Sequence, residues 1–433
     1  MSPPTRRQYL LAMGSAATLA GCLGPLLDDD LELATPESVP EDDWEPPDWE
    51  PAADAPVEDD VSATTVVTDL EIPWDLTFAG DDAFVTERDG GVYRFATDAL
   101  TSEAGLTPAD GDRVLDGDDL PDRAAPGEGG TLGVAAHPDS PDRSGLFVYY
   151  TVDDGDLSNR VVRYDRDGDD LEPIVEGIPG ARIHNGGRIA FGPNDDLWVL
   201  TGDAGAPASA QDPGSLAGAV LRTTPDGDPV AANPDWGADG DPRTYTLGHR
   251  NPQGIDFTPE GRPIVTEHGP QARDEVAVIQ PGGNYGWNVA RGGPDDPQYG
   301  NYAEYDDATP PIVNTGETTW APSGLTFYDG DSIANWQYRL LVAGLVSNTL
   351  YAVSLFTERV PTFESGVAFD APWLDDRFTA IAHPLFDGAY GRLRHVDQGP
   401  AGALYLLTSN RDGRASGEFP RDRDDRIVRL DPA

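Results

Sequence analysis

The sequence predicts an all-β chain folded as a six-bladed β-propeller of four-stranded antiparallel blades. Three observations carry that expectation. From Ala63 onward helical periodicity is scarce, and short apolar runs rich in Val, Leu, Tyr and Phe alternate with Gly, Pro, Asp and Asn clusters. Two strand signatures recur, at a period of roughly 50 to 70 residues, which suits propeller blades better than a solenoid. The 433-residue length gives ample core for one large ring.

Residues 1–22 read as an address. Thr5-Arg6-Arg7-Gln8-Tyr9-Leu10-Leu11 resembles a twin-arginine export signal, and the apolar run that follows it is too short to span a bilayer. Leu19-Ala20-Gly21-Cys22 looks like a lipoprotein processing box. Cys22 is the only cysteine, so an intrachain disulfide is excluded and a lipid anchor is its expected use. The expected location is the outer face of the cell membrane. Residues 23–62 contain no basic residue, many Asp and Glu, and repeated Pro, so they are expected to form an extended acidic tether. Trp44 and Trp49 are the two residues in it that could dock on a domain.

Residues 63–433 hold the repeats. The first signature is a strand, a turn and a second strand: Trp74 to Arg88, Leu132 to Thr151, Ile189 to Asp203, Ile255 to Gly269, Gly324 to Leu345 and His395 to Thr408. The second is one alternating strand, often bearing an arginine: Gly91 to Phe95, Arg160 to Tyr164, Ala219 to Arg222, Asp274 to Ile279, Thr349 to Ser354 and Arg426 to Leu430. A closed ring of such blades leaves only short edges and gathers loops from every blade at one end of its channel.

Charge narrows the partners. There are 77 Asp plus Glu against 29 Lys plus Arg, a formal net charge of -48, and every basic residue among the 29 is arginine. Such an acid excess keeps a protein solvated when salt screens its self-repulsion, and the composition resembles proteins of extreme halophiles. Phosphates would be repelled, so nucleic acid is not an expected partner.

One stretch stands out chemically. Ala181-Arg-Ile-His184-Asn-Gly-Gly-Arg188 sets a histidine in a glycine-rich turn, and a strand later Gly202-Asp203 places a carboxylate in another turn. Antiparallel strands return to the same edge, so His184 and Asp203 can meet there as a general base with its orienting carboxylate.

Further motifs follow in order: Gly248-His249-Arg250-Asn251-Pro252-Gln253-Gly254, Thr266-Glu267-His268-Gly269-Pro270 to Glu275, Asn284-Tyr285-Gly286-Trp287, Ala321-Pro-Ser-Gly324 and Gly391-Arg392-Leu-Arg394. Together with the His184 stretch they resemble the quinoprotein glucose/sorbosone (aldose sugar) dehydrogenases, from about Leu70 to Leu430. The resemblance implies pyrroloquinoline quinone and calcium over the channel, and oxidation of an aldose at its anomeric carbon to the lactone. It implies catalytic roles for His184 as base, Asp203 as its partner and Arg250 beside the quinone carbonyl. Asn251, Arg392, Arg394 and Gln211 would hold the cofactor. Gly269 and Pro270 would ligate calcium through carbonyls, and Asp274 and Tyr285 would reach it through water. Electrons would pass to a membrane or soluble acceptor.

Three positions depart from the family pattern. Glu128 stands where glutamine usually faces the sugar, Val346 where several relatives carry a lysine against the quinone, and Ala219 where a lysine is common. Two other readings follow from these departures and the fold: a sugar- or ligand-binding propeller without redox chemistry, and a calcium-dependent lactonase-like hydrolase.

Overall fold

The computed structural model describes residues 32–40, 44–102, 104–140, 145–168, 170–294, 296–358 and 360–433. The export signal and Cys22 lie outside the described residues. Six first strands run Pro73–Ala79, Thr131–Ala136, Ile189–Phe191, Pro252–Phe257, Pro322–Tyr328 and Leu393–Gln398. Each touches the first strand of the next blade, and the sixth touches the first, so the ring is closed. Outward from each, neighbouring strands pair antiparallel, giving the expected six-bladed propeller. The one α-helix among the described residues is the six-residue Thr97–Ser102.

The blades bury their faces against one another. Phe147, Tyr149, Val161, Val199 and Leu221, from blades two and three, lie in one apolar cluster; Leu200, Val220, Ile255, Val265 and Tyr285, from blades three and four, lie in another. The alternation that marked these strands in the sequence is a consequence: successive side chains go to opposite faces, and each face meets a neighbouring blade. The fifth blade carries a fifth strand, Val367–Phe369, beyond Thr379–Leu385. In the sixth, Val61–Val67 pairs with Ile427–Pro432, so the N-terminal strand completes the C-terminal blade.

Residues 44–62 lie against the propeller, and both tryptophans that could dock do so. Trp49 is buried, donates to Glu260 Oε2 at 2.9 Å and meets Phe327 edge to face. Trp44 packs on Phe378 beneath the guanidinium groups of Arg262 and Arg377. Arg339 donates to the carbonyls of Ala52 and Asp54. Farther back, the Ala34 amide donates to Gln211 and Glu37 bonds to the Asp235 carbonyl. The physical reason is that proline keeps this backbone extended but leaves its carbonyls free, and the large aromatic rings bury more area docked than in water. The tether's last two residues, Val61 and Ser62, belong to the closing strand.

Candidate active site

A first strand begins, and a second strand ends, at the same end of each blade. Connections between blades and hairpins within them therefore gather there, and the sequence-predicted residues lie on both. His184 is on the connection from blade two to blade three, and Asp203 follows the second strand of blade three, Leu197–Leu200. Arg250 and Asn251 lead into blade four, residues 268–274 join its second and third strands, and Arg392 leads into blade six. These loops surround a cavity of about 460 Å³, within the range of small-molecule sites, lined by Glu128, His184, Arg250, Asn251, Gly269 and Arg392 among others.

His184 and Asp203 meet as expected. His184 Nδ1 lies 2.7 Å from Asp203 Oδ1. The fully buried Asp203 also accepts from the Gly205 amide and from Trp287 Nε1, both at 2.7 Å. Three donors converge on one carboxylate, so it holds a proton on Nδ1 and leaves Nε2 as the basic atom. The His184 backbone is left-handed, φ 56°, a conformation a histidine adopts only when held. Its amide donates to Glu128 Oε2 at 2.9 Å, and Asn251 Oδ1 accepts from Gly186 two residues on.

Arg250 is fixed through its backbone. Its amide donates to Glu267 Oε1 at 2.8 Å and its carbonyl accepts from Asp203 at 2.8 Å, so base and arginine share a scaffold. Glu267 in turn accepts from His249 Nδ1 and pairs with the buried Arg291. Burial pushes the Glu267 carboxyl up, but Arg291 and His249 outweigh it and hold it at about 2. The guanidinium of Arg250 donates to the His268 carbonyl, and its Nε is buried without a partner among the described residues. Arg392 also lines the cavity, with Nε and Nη2 on Asp412 and Nη1 on the Leu345 carbonyl.

Several expected residues stand elsewhere or are otherwise engaged. Tyr285 is not at the cavity: its ring stacks on His249, and its hydroxyl donates to the Val278 carbonyl and accepts from the Gln280 amide. Gln211 likewise faces away, locked in a reciprocal amide pair with Asn284 and donating to the Trp287 carbonyl. Arg394 lies outside the cavity lining, buried with its Nη1 on Gln253 and Ser323; burial pushes its pKa down to about 9. Arg392 precedes the strand Leu393–Gln398 and reaches the cavity, whereas Arg394 lies within the strand and away from the lining. Glu128 lines the cavity, but its oxygens are taken by the His184 amide and by Arg414. Burial pushes the Glu128 carboxyl up, yet those partners prevail and hold it below its ordinary value, so it is ionised.

Asp274 lines the cavity with both oxygens occupied. Oδ1 accepts from the Gly269 amide, and Oδ2 accepts from the Trp320 and Ala321 amides and the Thr319 hydroxyl. It clamps the loop that carries Gly269 and Pro270, whose carbonyls accept no hydrogen bond from the described residues. No group of three or more His, Cys, Asp or Glu side chains suited to a metal occurs among the described residues, so a cation here would rely on those carbonyls. Backbone oxygen is a hard donor and suits calcium. An anionic planar cofactor also fits the cavity, given its size, the unpartnered Arg250 Nε and the guanidinium groups on its wall.

Sequence reasoning missed His268 and Arg414. His268 lines the cavity, its Nε2 buried without a partner among the described residues and its pKa pushed down to about 4 by burial. It sits inside a quoted motif, where only a structure could tell a lining residue from a packed one. Arg414 lies in an acidic, glycine-containing loop that looks like any solvated turn of this chain.

Comparison with known proteins agrees with this arrangement. The pattern defining the Glucose / Sorbosone dehydrogenase family matches residues 70–417. The aldose sugar dehydrogenase of Escherichia coli is 29% identical over 377 residues, covering 82% of this chain and 91% of its own. Quinoprotein glucose dehydrogenase B of Acinetobacter calcoaceticus is 35% identical over 370 residues, covering 66% of this chain and 73% of its own. Among solved structures, the PQQ-bound aldose sugar dehydrogenase of Streptomyces coelicolor superposes with a TM-score of 0.65 at 32% identity, over 88% of this chain and 99% of that one. With a match that spans most of the propeller and every residue that lines the cavity, this chain belongs to the glucose/sorbosone dehydrogenase family.

Proposed function

We propose that the protein oxidises an aldose at its anomeric carbon to the lactone, with pyrroloquinoline quinone and calcium bound in the cavity bordered by His184, Arg250 and Arg392. The observation that carries this reading is the His184–Asp203 pair at 2.7 Å on the wall of a cavity whose arginines suit an anionic cofactor. Relatives named as aldose sugar and quinoprotein glucose dehydrogenases, and a PQQ-bound one, support the reaction class.

His184 Nε2 takes the proton of the anomeric hydroxyl, and Asp203 stabilises the imidazolium that results. Arg250, held by Glu267 and Asp203, directs positive charge where negative charge develops. Arg392 and Asn251 hold the cofactor, and the Gly269 and Pro270 carbonyls hold calcium on a loop stiffened by Asp274. The bound quinone supplies the hydride acceptor, and the calcium supplies Lewis acidity. The buried Trp287 indole, by donating to Asp203, helps hold that carboxylate in place behind the base.

The N-terminal signal and Cys22 extend the proposal to export by the twin-arginine route and lipid anchoring on the outer face of the membrane, with electrons leaving to a membrane or soluble acceptor. The test is dye reduction by the purified mature chain with calcium, the quinone and a panel of aldoses. Turnover with an aldose, lost in His184→Ala, is the expected result. Unchanged turnover in His184→Ala overturns the assignment of the base.

A further inference from the structure

A continuous line of polar contacts runs around the mouth of the cavity, from Arg392 to the base. Asp412, whose side chain is 2% exposed, binds Arg392 through Oδ2, at 3.0 and 2.8 Å, and caps the Arg414 amide through Oδ1 at 2.9 Å. The Arg414 guanidinium crosses from the blade-six loop to Glu128 ahead of blade two, Nη1 to Oε1 at 2.9 Å. The other Glu128 oxygen holds the His184 amide.

The charges in this line are unequally committed. Arg392 has its charge matched by the buried Asp412 and three of its donors in use. Arg414 lines the cavity, its side chain is 55% exposed, and Nη1 carries its one side-chain contact among the described residues. Across the lining, Val346 is 51% exposed and offers no charge. An ion pair whose guanidinium stands more than half in water is weakened by solvent and readily exchanged. A ligand with several carboxylates offers the same guanidinium a fork-to-fork partner of higher charge.

We propose that Arg414 is an anion-binding residue of this cavity, and that its ion pair with Glu128 is a latch that the ligand opens. This rests on the quinone reading above, because a polycarboxylate must enter the cavity. In the liganded chain Arg414 turns from Glu128 to a ligand carboxylate, while Asp412 keeps its backbone in place beside Arg392. Glu128 and the ligand therefore compete for one guanidinium.

The competition gives the two partners opposite signatures. The experiment is equilibrium titration of the calcium-loaded chain with pyrroloquinoline quinone, read by quenching of tryptophan fluorescence at fixed ionic strength, with no turnover involved. Arg414→Ala is expected to weaken binding at least tenfold and Arg414→Lys by less, whereas Glu128→Gln leaves affinity unchanged or raises it. Thermal melts of each variant confirm that it is folded. If wild type binds and Arg414→Ala binds within twofold of it, the latch is wrong while the quinone reading stands. Equal weakening by Glu128→Gln and Arg414→Ala also overturns it, since the pair would then be only a brace for His184. Absence of binding in wild type removes both readings.

Discussion

Replacing Asp203 by asparagine tests the proposed base where the hydrogen bonds are most constrained. The carboxylate accepts from three donors: His184 Nδ1, the Gly205 amide and Trp287 Nε1. Asparagine has one acceptor oxygen and one donor nitrogen, so it cannot serve all three. With its oxygen toward His184 and Gly205, its NH2 faces the indole N–H in a fully buried site. An unsatisfied buried donor there costs about 1–3 kcal/mol of stability. In the flipped orientation the NH2 faces Nδ1, and the ring proton moves to Nε2, where it blocks the base. Loss of an oriented general base lowers kcat by about 10²–10⁴-fold, or about 3–5 kcal/mol of barrier. The assay is dye reduction by the reconstituted chain beside a thermal melt, with KM expected to stay within about threefold because Asp203 does not line the cavity. Adding Trp287→Phe removes the clashing donor, so the double variant regains stability without regaining turnover. Turnover of Asp203→Asn within threefold of wild type, or recovery of kcat in the double variant, refutes the reasoning.

Other perturbations address the rest of the molecule. Trp49→Ala removes a buried indole and its bond to Glu260 and should destabilise by about 3–5 kcal/mol; an unaltered melt would show that the docked segment adds nothing to the fold's stability. In the channel, burial pushes Asp75 and Asp256 up to about 6 and Asp397 well above its ordinary value, with the three carboxylates adding to one another at Asp397. A raised carboxyl pKa means that the folded chain binds the extra proton, so stability present below pH 3.8 falls as pH rises toward about 6 and stays lower above it. Asp397→Asn should therefore raise the melting temperature at pH 8 more than at pH 4.5, and equal shifts at the two pH values would contradict this. Asp274→Ala frees four donors and slackens the Gly269–Pro270 turn. The rise in melting temperature on adding calcium to chelated protein should shrink in that variant; a full-sized rise would place the ion elsewhere.

The repeats were legible because the first three strands of a blade are packed on both faces and repeat a strong apolar pattern. The outer strands were not. Asp112–Leu115 and Val367–Phe369 are short and partly exposed, so their residues are chosen for solvent, while Val313–Asn314 is buried but only two residues long. At the site, Asp203 and His184 could be paired from turn spacing alone, since one hairpin joins them. Tyr285 and Gln211 carry the right chemistry at matching positions, yet both side chains turn into the protein to satisfy neighbouring backbone groups. Side-chain direction in an irregular loop is decided by such local bonds, which spacing does not report. Trp44 and Trp49 stood out as possible anchors in acidic, proline-rich surroundings, but which blade surface they meet depends on partners such as Phe327 and Phe378, far away in sequence.

The strand Val61–Val67 and its partner Ile427–Pro432 lie at opposite ends of the propeller's stretch of chain, yet they pair in one blade. Joining ends separated by roughly 360 residues carries a chain-entropy cost of about 5 kcal/mol before any cross-strand bond forms. The loops around the cavity come from blades two to six, so an unfinished chain has neither a closed ring nor a complete site. Without Ile427–Pro432 the facing edges of Val61–Val67 and Leu404–Thr408 stand unpaired, open to strands of other chains.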